Sequence, residues 1–563
     1  MCYHSAIAFE GFMLCIINLH VSKVKCLTEM FFICGERLFG LGQSGRNAAL
    51  GREGTRMTEA NLQHLLAMVI YMAAVIAIGV VFAGRANKDT ESYFLGGRSL
   101  GPWVTAFSAE ASDMSGYLLM GLPGLAYWTG LADVGWTCIG LAIGTYFNFL
   151  IVSKRLRRYS VKVDAFTIPD YFSKRFHEKK KVLMLISSLT IIIFFSVYAA
   201  QCLSACGKLF SNLFGLDYGF MMIIAAAFVL LYTFLGGYLA ESASDFMQAV
   251  VMITVLVLIM VLSVNAAGGL QTVIENAKSF DGFLSLTKTA TPSTEEVNVF
   301  GTSNSYGFLS IISTLAWGLG YFGMPQVLLR FMGIRSEHEL GRSRRVAIIW
   351  VVISMAAAIM IGIVGRSVAG LDYLSNSAAE NVFIDAATTF LPPVLAGFAC
   401  AGVLAASISS SDSYLLIAAS AVSQNLYRGM FKRDASDRQV MWCSRITLVL
   451  ITLIAMVIAW NSDSTVFGIT SFAGAGFGAA FGPLMLFSLF WKRTNWYGAI
   501  AGMVSGGAMV FIWKLLVKPL GGVFAIYELL PAFIVSCIMI VLVSLCTGKP
   551  EKQIEREFEE VAA

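Results

Sequence analysis

Phe107-Ser108-Ala109-Glu110-Ala111-Ser112-Asp113-Met114-Ser115-Gly116 sets two acids among serines and alanines, inside an apolar run that extends from about 103 to 125. A run of that length is enough to cross a hydrocarbon core of roughly 30 Å as a helix, and a charge within such a span is costly, so it marks a functional position by default. Two readings stand for Glu110 and Asp113: end charges that reach water, or ligands for a cation. Gly116 favours the second, because glycine lets a helix open and expose carbonyl oxygens. Sodium is a hard cation that takes carbonyl, hydroxyl and carboxylate oxygens.

The rest of the chain agrees that this run lies in lipid. Hydrophobic residues make up 57% of the sequence and charged residues 13%, with a mean hydropathy of +0.73, against a soluble average of about 25% charged. Apolar runs recur without period-two alternation, which indicates helices and excludes barrel strands. The expected fold is an all-α polytopic membrane protein. Thirteen spans are predicted, near 62–84, 103–125, 132–152, 182–205, 218–238, 245–267, 306–329, 346–369, 393–424, 441–461, 466–491, 497–519 and 524–547.

Orientation follows from the basic residues near the span ends. The joint after the third span holds Lys154, Arg155, Arg157, Arg158, Lys162, Lys174, Arg175 and Lys179 to Lys181, which assigns it to the cytoplasm. Alternation then places Arg335 with Arg342, Arg428 with Lys432, and Lys492 with Arg493 on the same side. The joint from 268 to 305 and the one with Asp372, Glu380 and Asp385 fall outside, as does the N-terminus, while the tail 548–563 is cytoplasmic. Residues 1–56 carry mixed charge and no useful span, and Met57 precedes a long apolar run, so they are expected to be a non-native or disordered extension of a transporter domain at 57–547.

The formal charge of +5 sits in loops and gives no nucleic-acid signal. No cysteine pair has zinc or redox spacing, and no Walker A pattern is present. Neither an enzyme, an organic cofactor nor an obligate protein partner is expected; the partners are lipid and a small solute.

Two further stretches carry chemistry. Leu315-Ala316-Trp317-Gly318-Leu319-Gly320-Tyr321-Phe322-Gly323-Met324-Pro325 is a second interrupted span. Its glycines serve either close packing or a break. Trp317, Tyr321 and Pro325 recur at i, i+4 and i+8, a stripe suited to a pocket for a small ring. Leu404 to Ser413 adds Ser407, Ser409, Ser410, Ser411, Asp412 and Ser413, which either bond back to their own helix or form an ion-coordinating wall. The interrupted spans are second and seventh, the spacing that a five-plus-five inverted repeat requires of its first members.

Leu95-Gly96-Gly97-Arg98-Ser99-Leu100-Gly101-Pro102, Ala111-Ser112-Asp113-Met114-Ser115-Gly116, Leu119-Met120-Gly121-Leu122-Pro123-Gly124, Tyr232-Thr233-Phe234-Leu235-Gly236-Gly237 and Trp317-Gly318-Leu319-Gly320-Tyr321-Phe322-Gly323 resemble the solute:sodium symporter family, from about residue 60 to 547. The resemblance implies a leucine-transporter-type inverted-repeat core at about 103–491 with peripheral helices near 62–84, 497–519 and 524–547. It implies sodium-coupled uptake of proline across the inner membrane. Alternatives are a sodium- or proton-coupled symporter for another small amino acid, osmolyte or carboxylate, and a membrane sensor, which the short tail disfavours. The resemblance assigns sodium, the one metal, to Ala111, Met114, Ala406, Ser409 and Ser410, with Asp113 assisting. It assigns substrate to Trp317, Tyr321, Pro325, Tyr198, Ser115 and Gly116, and coupling or gating to Arg98 and Asp245.

Departures from the family pattern are Glu110 in place of glycine, Tyr117 in place of tryptophan, Met324 in place of glutamine, and the segment Glu241-Ser242-Ala243-Ser244-Asp245. Glu110 either adds a proton-sensitive step or a second cation to coupling, or points to a cytoplasmic vestibule. Uptake measured across a pH series separates these: a Glu110→Gln profile that matches the parent removes the proton reading.

Overall fold

The structure, a computed structural model, describes residues 59–86, 90–235, 237–296, 299–367 and 372–562. The expected extension at 1–56 lies outside the described residues. Helices dominate, as they must where lipid supplies no hydrogen bonds to the backbone. In chain order the helices include α1 (Glu59–Ala86), α2 (Pro102–Gly116), α3 (Leu122–Thr129) and α4 (Leu131–Lys162). Then come α5 (Val182–Phe214), α6 (Tyr218–Leu235), α7 (Tyr238–Ala266), α8 (Phe308–Leu315), α9 (Trp317–Gly320) and α10 (Pro325–Gly333). The chain continues through α11 (Leu340–Gly365), α12 (Asn376–Ala379) and α13 (Pro393–Phe431). Next are α14 (Asp437–Ile458), α15 (Val466–Phe490), α16 (Trp496–Leu520) and α17 (Leu529–Cys546), followed by a polar helix at Lys552–Ala562. Among the described residues, ten helices are long and apolar enough to span a membrane, or eleven if the pair bent by 43° at Met324 counts as one. The joint at 268–305, expected as a connection, carries a helix at Leu270–Lys278 and a two-stranded hairpin that pairs Lys288 with Ser305.

The lipid-facing surface reverses soluble amphipathicity. On α14, Ile446, Leu450, Leu453 and Val457 are exposed, whereas Ser444, Thr447, Thr452 and Ala455 are buried. Apolar side chains meet lipid, and small or hydroxyl side chains meet other helices.

Small residues also set how closely the broken span approaches its neighbour. A Cβ on Gly144 would lie 2.3 Å from the Gly318 carbonyl oxygen, and one on Gly318 would lie 2.1 Å from that of Gly140. Backbone meets backbone there. The glycines of the second interrupted stretch therefore serve packing at Gly318, while the break itself falls at Met324 (ψ 107°) just before Pro325, whose missing N–H cannot continue the ladder.

At one end of the unit formed by His64–Ala563, Lys208 and Glu380 make a buried ion pair of 2.8 Å. Lys208 also donates to Ser377 Oγ at 2.8 Å and the Ser464 carbonyl at 2.9 Å. Glu380 accepts the backbone N–H groups of Val466 and Phe467 at 2.9 and 3.0 Å, so its carboxylate caps α15 as well as neutralising the lysine. Removing one partner of such a pair leaves the other charged and buried. Glu380→Gln is expected to cost about 3–5 kcal/mol, read as a lower melting temperature in detergent, with part of the loss recovered when Lys208→Met is added.

Candidate functional site

The site begins where α2 stops being a helix. Ser115 has φ 47° and ψ −166°, a conformation costly for a residue with a side chain, and the helix resumes at once through Tyr117. The sequence assigned this opening to Gly116, but Gly116 is helical at φ −57°. Its missing Cβ serves close packing instead, since one would lie 2.7 Å from Ala205 Cβ.

Just ahead of the break, the Ala111 carbonyl receives Ser409 Oγ at 2.9 Å and Ser410 Oγ at 3.2 Å from α13. Ser409 Oγ is also 3.1 Å from the Ala406 carbonyl. Four oxygens, all from fully buried residues, thus meet between α2 and α13. The serine run divides between bonds within α13 and bonds to α2. Ser411 bonds back to the Ile408 carbonyl at 3.2 Å, whereas Ser409 and Ser410 reach across to another helix. An all-oxygen set of carbonyls and hydroxyls fits a hard monovalent cation. Met114 follows Ala111 by three residues, and its carbonyl accepts the Tyr117 N–H. Asp113 accepts from Gln326 Nε2 at 2.8 Å. Glu110 is buried, and neither of its carboxylate oxygens has a hydrogen-bond partner among the described residues.

Beside this point lies a cavity of about 20 Å³ walled by Asp113, Met114, Tyr117, Tyr198, Trp317 and Tyr321 together with Leu141, Gly320 and Met324. Trp317 stacks on Tyr117 with centroids 5.6 Å apart and planes at 21°. Tyr198 Oη is 3.8 Å from Met324 Sδ. Of the residues expected to hold solute, Trp317, Tyr321 and Tyr198 are in the wall, and Ser115 with Gly116 forms the adjoining break. Pro325 is not in the wall. The stripe was drawn on a continuous helix, but the 43° bend falls between Tyr321 and Pro325, and Met324 takes the wall position. Sequence reasoning missed Thr470, Gly474, Tyr527 and Leu529, which complete the wall from α15 and from the start of α17. Nothing in their local pattern separated them from ordinary helix-packing residues.

A charged cluster lies further along α2. Arg330 on α10 is fully buried and donates to Ser108 Oγ at 2.9 Å, Asp245 Oδ2 at 3.1 Å, Ser413 Oγ at 2.9 Å and Glu241. Ser108 Oγ donates in turn to Asp245 at 2.7 Å, and Ser413 to Glu241. Asp245, placed by its sequence at a span end, is two turns inside α7 and belongs to this network. Arg330 and Glu241 had drawn no role from the sequence: Arg330 falls just past the expected span end at 329 and in the last turn of α10, where a basic residue is ordinary. Arg98 acts elsewhere: it donates to Ser160 Oγ at 3.1 Å and to the carbonyls of Met332 and Ala165 at 2.9 and 2.7 Å, tying the turn before α2 to the end of α10.

Two opened helices, an oxygen cluster at one break and a ring-lined cavity beside it define an integral membrane transporter. Residues 93–506 match the Sodium:solute symporter family. The chain is 37% identical over 519 residues to the sodium/proline symporter of Staphylococcus aureus strain USA300 / TCH1516, covering 91% of this chain and 98% of that protein. The sodium/proline symporter of strain JH9 matches to the same extent. Among solved structures, a Na+-coupled sialic acid symporter in a substrate-bound outward-open state superposes with a TM-score of 0.70 at 19% identity, covering 87% of this chain and 99% of that one. A nucleobase-cation-symport-1 family transporter in a closed conformation, with bromovinylhydantoin bound, gives 0.51 at 12% identity, covering 84% and 99%. This chain belongs to the sodium:solute symporter family.

Removing Arg330, fully buried between two carboxylates, would leave both without their countercharge. Arg330→Met is expected to destabilise the protein by about 3–5 kcal/mol, measured by thermal melting in detergent. Glu241→Gln in the same chain should restore part of the loss.

Proposed function

We propose that the protein is a secondary active transporter that carries L-proline into the cell together with sodium, by alternating access across the inner membrane. The observation that carries this reading is the meeting of the Ala111 carbonyl with the Ser409 and Ser410 hydroxyls directly beside the cavity that contains Trp317 and Tyr198. Sodium is held by the Ala111, Met114 and Ala406 carbonyls and the two serine hydroxyls, with Asp113 supplying negative charge nearby. Proline lies against Trp317, Tyr321 and Tyr198, with Ser115, Gly116 and Pro325 shaping the breaks. Arg98, Asp245 and Glu110 act in coupling and gating.

Thirteen crossings, with the second to sixth and seventh to eleventh as inverted repeats, accommodate both breaks at corresponding positions. The transporter domain occupies 57–547, with the core at about 103–491, the N-terminus outside and the tail 548–563 in the cytoplasm. A cavity of about 20 Å³ has room for about one water and none for an amino acid, so the walls must part to admit solute. Sodium binding to α2 and α13 together favours the state in which the cavity is formed, and a membrane potential of 100 mV contributes about 2.3 kcal/mol per charge moved inward.

Purified protein in proteoliposomes tests this. Labelled proline should accumulate under an inward sodium gradient and fail to do so with potassium. Ser409→Ala should raise the sodium concentration for half-maximal uptake by about tenfold, the loss of one hydrogen-bonding ligand in a buried site. Tyr117 and Met324, two of the departures from the family pattern, both line the cavity. They favour a second reading in which the solute is a different small amino acid, and competition of proline uptake by an amino-acid panel decides between the two.

A further inference from the structure

We propose that Tyr527 is a solute-contacting lid, and that the space it leaves selects the ring size of the solute; this rests on the reading of the cavity as the solute site. Tyr527 comes from the short connection between α16 and α17, far in sequence from the broken spans that supply much of the wall. Its ring is 8% exposed and stacks on Trp317 with centroids 5.2 Å apart and planes at 20°. Tyr117 stacks on the same indole, so Trp317 packs against two phenol rings.

Three anchors fix the lid. The Tyr527 N–H donates to Ser313 Oγ on α8 at 2.7 Å. Its hydroxyl donates to the Ser471 carbonyl on α15 at 2.8 Å. The next residue, Glu528, has a fully buried carboxylate paired with Lys518 at 3.0 Å and Lys514 at 3.4 Å. Tyr527 therefore bridges α8 and α15 across the cavity, and any movement that separates those helices must release one of its bonds. The hydroxyl also approaches the cavity floor. A Cβ on Gly474 would lie 3.0 Å from Tyr198 Oη, 3.4 Å from the Met324 methyl and 3.8 Å from Tyr527 Oη. Two phenols and a thioether thus converge over a position kept free of any side chain. A saturated ring entering there presses on a fixed aromatic wall, and each added methylene must displace it.

The test uses the full chain in proteoliposomes, with four-, five- and six-membered cyclic imino acids competing against labelled proline. Tyr527→Phe keeps the stack and loses only the bond to Ser471, so KM should stay within about threefold. Tyr527→Ala should raise KM for proline about tenfold, with kcat retained and the six-membered ring gaining relative to the five-membered one. An unchanged KM in Tyr527→Ala overturns the proposal, as does a loss of kcat with equal shifts for all three rings. If the parent protein takes up no proline under a sodium gradient, the transport reading fails, and the lid is then decided by labelling. Thr470→Cys on the cavity wall should react with a membrane-impermeant maleimide about tenfold faster when Tyr527→Ala is also present; equal rates overturn the lid.

Discussion

The carbonyl of Ala111 is the constraint on which the rest of the site depends. A carbonyl oxygen has two lone pairs, so one that serves its own helix can also accept from a neighbouring helix. Ser115 leaves helical geometry at φ 47° one turn further on, and the Ala111 carbonyl accepts Ser409 and Ser410 from α13. Both hydroxyls reach α2, and that of Ser409 also keeps a 3.1 Å contact with the Ala406 carbonyl of its own helix. The backbone cost at Ser115 is offset by packing that leaves little room for relaxation, since Ala109, Ala111, Ser112 and Ser115 are all fully buried.

Buried charge is managed in two ways within one molecule. Lys208 and Glu380 neutralise each other one for one, with backbone N–H groups satisfying the remaining carboxylate lone pairs. Arg330 instead faces Glu241 and Asp245 together, with Asp412 beside Ser413 and one of its oxygens unpartnered among the described residues. The first arrangement is closed and suits a structural clasp. The second gathers Glu241, Asp245 and Asp412 around one guanidinium, on and beside the helix that carries Ser409 and Ser410, so the charged cluster and the oxygen cluster share α13.

Much of this was legible in the sequence, because lipid enforces simple rules. Apolar run length placed the helices, although α4 runs on to Lys162 and α5 to Phe214, past the expected ends at 152 and 205. Charge within a run pointed to Glu110 and Asp113, whereas Asp245 was indicated by the family resemblance alone. The hydroxyl run at 409–413 stood out by its density, but periodicity could not say which serines would turn outward. That choice depends on where the Ala111 carbonyl is, a tertiary fact. The stripe of Trp317, Tyr321 and Pro325 failed at its last member because a helical repeat cannot be extended through the bend that the proline itself introduces. Tyr527 was invisible for a different reason: its place over Trp317 is fixed by Ser313 and Ser471, more than 50 residues away along the chain.

The tightness of the cavity bears on how two ligands become coupled. Met114 and Asp113 belong both to the stretch that carries the oxygen cluster and to the cavity wall. Any cation that draws the Ala111 carbonyl and the two serines together also fixes the rotation of α2, and with it the faces that Asp113 and Met114 present to a solute. Conversely, a solute that wedges Trp317 away from Tyr117 pushes on the residue directly after the break. Coupling between the sites then needs no signal carried over distance. It follows from one short helix segment being too well packed to satisfy either ligand without adopting the position that suits the other.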